Sequence, residues 1–180
     1  MDTKHGNDAI AWSDAFVLGY GPMDDAHEEF VTLVRALQQA RDDELAGLLE
    51  TFDVHAKAHF DAENAWMVET DFPARECHID EHAAVLRSVQ QVRERLARGD
   101  HAVVRRLAGE LAWWFPGHAD YLDSALAHWM CKHRLGGKPV VLRRNLGQAD
   151  MHSMPDDRMS GLAEPHAAIA IEPFPARGSG

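Results

Sequence analysis

Cysteine is scarce in this chain. Its 180 residues hold only Cys77 and Cys131 and no Cys-x-x-Cys pair, which excludes a disulfide framework and leaves no zinc-ribbon or thiol-redox motif. Positive charge is also short: 18 lysines and arginines stand against 29 aspartates and glutamates, giving a net charge of -11 and a pI near 5.4. A surface of that sign repels nucleic acid and anionic membranes, so neither is expected as a partner. Long apolar runs are missing too. The first eight residues are polar and lead into no stretch of the length that a signal peptide or membrane span requires, so the expected location is the cytoplasm.

What the chain does have is 46% hydrophobic residues, enough for one good core, and twelve histidines. The histidine count alone decides nothing; the placement does. Trp12, Phe16, Val17 and Leu18 read as an apolar arm closed by Gly19, Gly21 and Pro22. Asp24 or Asp25 can then cap a helix running to about Arg41, with His27, Phe30, Val34 and Leu37 on one side. A second helix, from Asp42 or Asp43 to about Glu69, turns Leu45, Leu48, Leu49, Phe52, His59, Glu63, Trp66 and Met67 inward. A third, from about Glu76 to Arg98, carries His78, His82, Val85, Val89, Val92 and Leu96 in a heptad-like stripe ended by Gly99-Asp100. A fourth, from about His101 toward Cys131 or Lys132, places Val104, Leu107, Leu111, Trp114, His118, Leu122 and Ala125 inward. Four such stripes with short connections predict an all-α, up-down-up-down four-helix bundle. The expected organisation is an N-terminal arm over residues 1–23, the bundle over 24–133, and a C-terminal extension over 134–180. That extension is expected to be mostly disordered, because Pro, Gly, Ser and Asp recur there without periodicity.

The polar groups on the apolar seams carry the chemistry. His59 with Glu63, and His78 with His82, are i, i+4 pairs flanking the Pro73 turn, and four residues along an α-helix return to within about 40° of the starting azimuth. Adding His27, His118 and Asp123 gives seven polar side chains on core positions of four helices. An unpartnered buried histidine costs roughly 1–3 kcal/mol and an unpaired carboxylate more, so seven converging groups need a counterpart, and two divalent metal ions supply one. Five imidazoles and two bridging carboxylates suit iron better than copper, and they exceed the four ligands of a structural zinc. No histidine has a glutamate three residues before it, which separates the chain from ferritin-type diiron proteins and their Glu-x-x-His motifs. One spacing is awkward: His118 and Asp123 are five apart, about 140° out of register on a straight helix. Pro116-Gly117 lies just before, so a kink or π-type widening is expected between Ala112 and Asp123.

Over residues 12 to 132 the pattern resembles the hemerythrin family, in particular its bacterial members. Trp12, Gly19 and Asp24-Asp25-Ala26-His27 are similar to the family's arm and first ligand, and His59-Phe60-Asp61-Ala62-Glu63 with Met67 to its His-Phe-x-x-Glu-Glu-x-x-Met signature. Asn64 replaces the second glutamate, which is not a ligand in the family, and Pro116-Gly117 is not part of its pattern. His78-Ile79-Asp80-Glu81-His82 and Trp114, His118 and Asp123 complete the likeness. The resemblance implies two iron ions with a bridging hydroxide or oxo group. His78, His82 and His118 would hold one, His27 and His59 the other, and Glu63 and Asp123 would bridge both. It implies reversible dioxygen binding for storage, delivery to an oxygen-consuming enzyme, or sensing with a signalling partner, rather than catalysis. The rival reading is a diiron enzyme acting on peroxide, nitric oxide or ferrous iron; a third is a metal-storage or purely structural protein. Oligomeric state has no signal in the sequence. His55 is expected at the core edge rather than as a ligand, His128 and His133 at the solvated end of the fourth helix, Trp66 and Met67 as pocket walls, and Cys131 as a core thiol.

Overall fold

The computed structural model describes residues 9–141. The expected disorder of the C-terminal extension concerns residues that lie almost wholly outside that range.

The described chain is an up-down-up-down four-helix bundle. After a short 3-10 turn at Asp14–Phe16, α1 spans Gly21–Gln39, α2 Leu45–Glu69, α3 Arg75–Leu96 and α4 His101–His118. One π-helical turn, Ala119–Asp123, then leads into α5, Ser124–Leu135, so that α4 and α5 form the fourth rod. Each rod packs on its two neighbours, α1 on α2 and α4, and α3 on α2 and α4. Among the described residues no helix is long and apolar enough to cross a membrane.

Helix α1 starts earlier than expected. Pro22 lies in its first turn, where a fixed φ is already helical and the missing N–H costs nothing. Asp24 is therefore inside the helix and does not cap it; its carboxylate instead accepts the backbone N–H groups of Leu18 at 2.7 Å and Gly19 at 3.0 Å, tying the arm to the bundle. Gly19 sits at φ 79°, and a Cβ there would meet Pro139 Cβ at 3.1 Å and Val140 N at 3.2 Å, so the position needs glycine twice over. Asp100 caps α4 by accepting from Val103 N at 3.2 Å. Between α2 and α3, Asp71 takes the left-handed conformation at φ 53° and Phe72 turns into the core.

The expected π-type widening is present inside the expected interval, at Ala119–Asp123: α4 stays α-helical through Pro116, and the Ser124 N–H reaches back five residues to the Ala119 carbonyl. That single wide turn shifts the phase of everything after it. Ala125, expected inside, is exposed and Leu122 only half-buried, while Leu126, Ala127, Met130 and Cys131 form the buried face of α5.

The apolar interior has two parts. The larger is built on Phe30, Val34, Leu37, Leu49, Phe52, Phe60, Val89, Leu107, Leu111 and Phe115; the smaller closes the other end with Tyr20, Met23, Met67, Phe72, Leu126 and Met130. Between them lies a belt of buried polar groups.

Candidate metal centre

Each rod delivers its polar groups to that belt from a helical face that is otherwise apolar. His27 of α1 is followed on the same face by Phe30, Val31 and Val34; His59 and Glu63 of α2 lie between Ala56 and Met67; His78 and His82 of α3 precede Val85 and Val89. The π turn carries Asp123 back onto the seam of His118, bringing Asp123 Oδ1 to 3.3 Å from His118 Nε2. All seven side chains picked out in the sequence are buried, and the structure brings all seven together.

Their donor atoms form two groups. Glu63, His78, His82, His118 and Asp123 make one and His27, His59 and Glu63 the other, with the donor atoms of each group within 4.8 Å of one another. The Nε2 atom of His118 lies 3.2 Å from those of both His78 and His82. The carboxylates divide their oxygens between the groups. Glu63 Oε1 faces His59 Nε2 at 3.0 Å, while Oε2 faces His82 Nε2 at 3.3 Å. Asp123 Oδ2 faces His27 Nε2 at 3.1 Å, while Oδ1 faces His78 Nε2 at 3.0 Å.

Electrostatics make this a site for cations. Burial and the Asp123 charge push the Glu63 pKa up, yet the neighbouring His59 and His82 imidazoles outweigh them and bring it down to about 2. Asp123, against its own burial, is held well below the usual carboxylate range by His118, His27 and His78. Burial lowers the pKa of His118, but Asp123, Glu81 and Glu63 together carry it up to about 10; His27 is raised in the same way, its burial overcome chiefly by Asp123. His82 goes down to about 4, mainly through burial. Two buried carboxylates thus face two imidazoles, His27 and His118, whose affinity for protons they raise.

Protons do not satisfy the cluster. Both ring nitrogens of His27, Nδ1 of His59 and of His78, Oε2 of Glu63 and both oxygens of Asp123 are buried without a hydrogen-bond partner among the described residues. Orphans of this kind cost about 1–3 kcal/mol each, and nitrogen lone pairs converging at 3.2 Å want a cation between them. The residues present therefore fit a metal centre.

Residues 18–129 match the family model described as the hemerythrin HHE cation binding domain. The chain belongs to the hemerythrin family. It is similar to Bacteriohemerythrin of Ralstonia nicotianae, with 41% identity over 123 residues that cover 68% of this chain and 90% of that protein. No solved structure matches the chain. Hemerythrins bind dioxygen and are not enzymes, and the buried histidine-carboxylate belt is this chain's counterpart of the family's cation-binding domain.

Sequence reasoning missed one member of the site. Glu81 accepts from His118 Nδ1 at 2.9 Å and from Trp114 Nε1 at 3.2 Å. The signal was available: Trp114 and His118, four apart, stack two ring N–H donors on one face of α4. Asn64, the departure from the family signature, accepts through Oδ1 from His82 Nδ1 at 2.9 Å. His55 is half-buried, its Nε2 on the Ala26 carbonyl at 3.2 Å and its Nδ1 3.3 Å from Glu29. Met67 belongs to the smaller apolar layer and Trp66 packs against that layer's edge. His128 and His133 are exposed on α5, and Cys131 is buried with its Sγ 3.8 Å from the Gly19 carbonyl oxygen.

Proposed function

We propose that the chain binds dioxygen reversibly at a centre of two iron ions. His78, His82 and His118 would serve one ion, His27 and His59 the other, and Glu63 and Asp123 would bridge them. One observation carries this reading: both carboxylates turn one oxygen to a group of three histidines and the other to a group of two. Five nitrogens and four oxygens so divided exceed what two tetrahedral zinc ions use, and the mixed set suits iron. When bound, ferrous iron supplies the electrons that oxygen binding needs. The unequal division leaves the two-histidine side one protein ligand short, and that side is where a small molecule would enter.

The protein's own contribution is to fix the donors and keep the surroundings dry. Phe60 stacks on His82 at 4.1 Å and 9°, Phe115 stands edge-on to His27 at 5.2 Å, and Phe30 lies 6.2 Å from His59. These rings shut out water and offer no proton. His55, the titratable ring next to His59, has its two nitrogens turned toward Ala26 and Glu29. A pocket walled in this way favours binding over turnover, which requires a proton donor within reach. Anaerobic loading with ferrous iron, exposure to air and removal of oxygen, followed by visible spectroscopy, test the reading. Colour that appears and then fades on deoxygenation is expected. One-way conversion to the ferric state with product release would point to an enzyme instead.

A further inference from the structure

The five histidines of the cluster are not backed equally. Behind its Nε2, His118 presents Nδ1 to the Glu81 carboxylate at 2.9 Å, and His82 presents Nδ1 to the neutral amide oxygen of Asn64 at 2.9 Å. The Nδ1 atoms of His27, His59 and His78 have no hydrogen-bond partner among the described residues. Both backed histidines belong to the three-histidine group, and one alone is backed by a carboxylate. That carboxylate is itself held: Trp114 donates Nε1 to it at 3.2 Å and lays its ring 4.2 Å from the His118 ring. Glu81 stands on α3 between His78 and His82, so a single turn supplies two ring donors and the partner of a third from α4. His118 needs such a partner, because Pro116-Gly117 precedes it and the π turn follows it.

We propose that Glu81 is a positioning residue that makes the two metal positions unequal: by accepting the His118 Nδ1–H it fixes that ring's tautomer and aim and strengthens Nε2 as a donor to the three-histidine position. A carboxylate behind a ligating imidazole raises its basicity, and losing such a partner typically costs 10–100-fold in metal affinity. The three-histidine position is then filled first, and its ion is the more easily oxidised. This rests on the diiron reading above.

The test compares the full-length chain with Glu81→Leu, Glu81→Gln and Asn64→Asp. Ferrous iron is titrated anaerobically by calorimetry and the loaded proteins are followed by redox potentiometry. The Trp114 indole N–H resonance reports whether the contact is lost, and thermal unfolding of the metal-free proteins reports whether the variants fold. Glu81→Leu is expected to weaken one of two binding steps 10–100-fold and leave the other within about twofold. Glu81→Gln keeps an acceptor but no charge, so both ions stay bound while ferric preference at one position falls about tenfold, a rise of 59 mV for one electron. Asn64→Asp puts a charge behind His82 and moves the potential the opposite way. Unchanged binding steps in Glu81→Leu with the indole resonance displaced, or potentials that do not move in opposite directions in the other two variants, overturn the inference and leave the diiron reading standing. A wild-type chain that fails to take up two ferrous ions overturns that reading, and the inference with it.

Discussion

Deleting Asp120 should leave both the fold and the metal centre intact, an unusual outcome for a deletion inside a helix. In a regular α-helix each residue advances about 100°, so removing one rotates everything beyond it by that amount. The fourth rod already contains the compensating irregularity. From His118, the buried Leu126 and Met130 lie eight and twelve residues on, which on an uninterrupted helix would be about 80° and 120° off the seam. With Asp120 removed they lie seven and eleven residues on, within about 20° of it, and His118 and Asp123 become an i, i+4 pair. The Ser124 N–H bond to the Ala119 carbonyl, now a π contact, becomes the ordinary α contact without a change of partner. Asp120 is exposed, and its carbonyl accepts the Ser124 hydroxyl, a role Ala119 can take over. The expected stability change is within about 1 kcal/mol, as for most exposed positions, with iron binding retained. The control is deletion of Glu110, also exposed but in the α-helical part of the rod. That deletion rotates Leu111, Trp114, Phe115 and His118 against Val103, Val104 and Leu107, and losses of about 2–5 kcal/mol per large core side chain exceed the 5–15 kcal/mol of a typical domain. Thermal unfolding and colorimetric iron determination measure both variants. If the Asp120 deletion loses iron, or is destabilised by more than about 3 kcal/mol, the phase argument for the π turn is wrong.

Glu63→Gln keeps the side chain's shape but removes one of the two shared charges; iron retained after desalting should fall from two ions to about one per chain, by colorimetric assay. Loading should release protons: His118, raised to about 10, carries a proton that a metal must displace, and the pKa of His27 is shifted in the same direction. Metal uptake at pH 8 should therefore release the His118 proton, seen as acidification of a weakly buffered indicator solution, and apparent affinity should climb with pH until His118 titrates. Phe60→Ala removes a ring that is fully buried and stacked on His82, and should cost about 3–5 kcal/mol in denaturant unfolding of the metal-free protein.

The parts of this molecule that the sequence made legible are those where one periodicity runs unbroken. His27, Phe30, Val34 and Leu37 repeat at helical spacing and all are buried, as are Val85, Val89 and Val92. The reading slipped where the period changed. His118 and Asp123 demanded a wide turn, yet Leu122 and Ala125 were still counted inward on the old phase; carrying the inserted residue forward would have selected Leu126 and Met130. Asp24 was misread for a related reason. As a cap its carboxylate would serve N–H groups of its own helix, but Pro22 already starts the helix, and the nearest free donors belong to the arm at Leu18 and Gly19. Glu81 escaped because it is partly exposed, and its role depends on two donors from a helix that no local pattern places beside it.

The polar belt is compatible with a stable bundle because its charges cancel in two different ways. Without metal, Glu63 and Asp123 face His27 and His118, the two imidazoles whose surroundings favour a proton. The signs fix the window in which this works. Glu63, depressed to about 2, contributes stability that is complete above its unfolded value near 4.5 and is lost as the pH falls toward 2; His118, raised to about 10, contributes stability that is complete below its unfolded value near 6.5 and is lost as the pH rises toward 10. Metal reverses the second contribution, since the ion replaces the proton on His118 and supplies positive charge that alkali does not remove. The metal-free bundle should thus weaken through the range in which the metal-bound one gains affinity. A fold whose central layer is balanced by protons in one state and by metal ions in the other ties its stability to occupancy of the site.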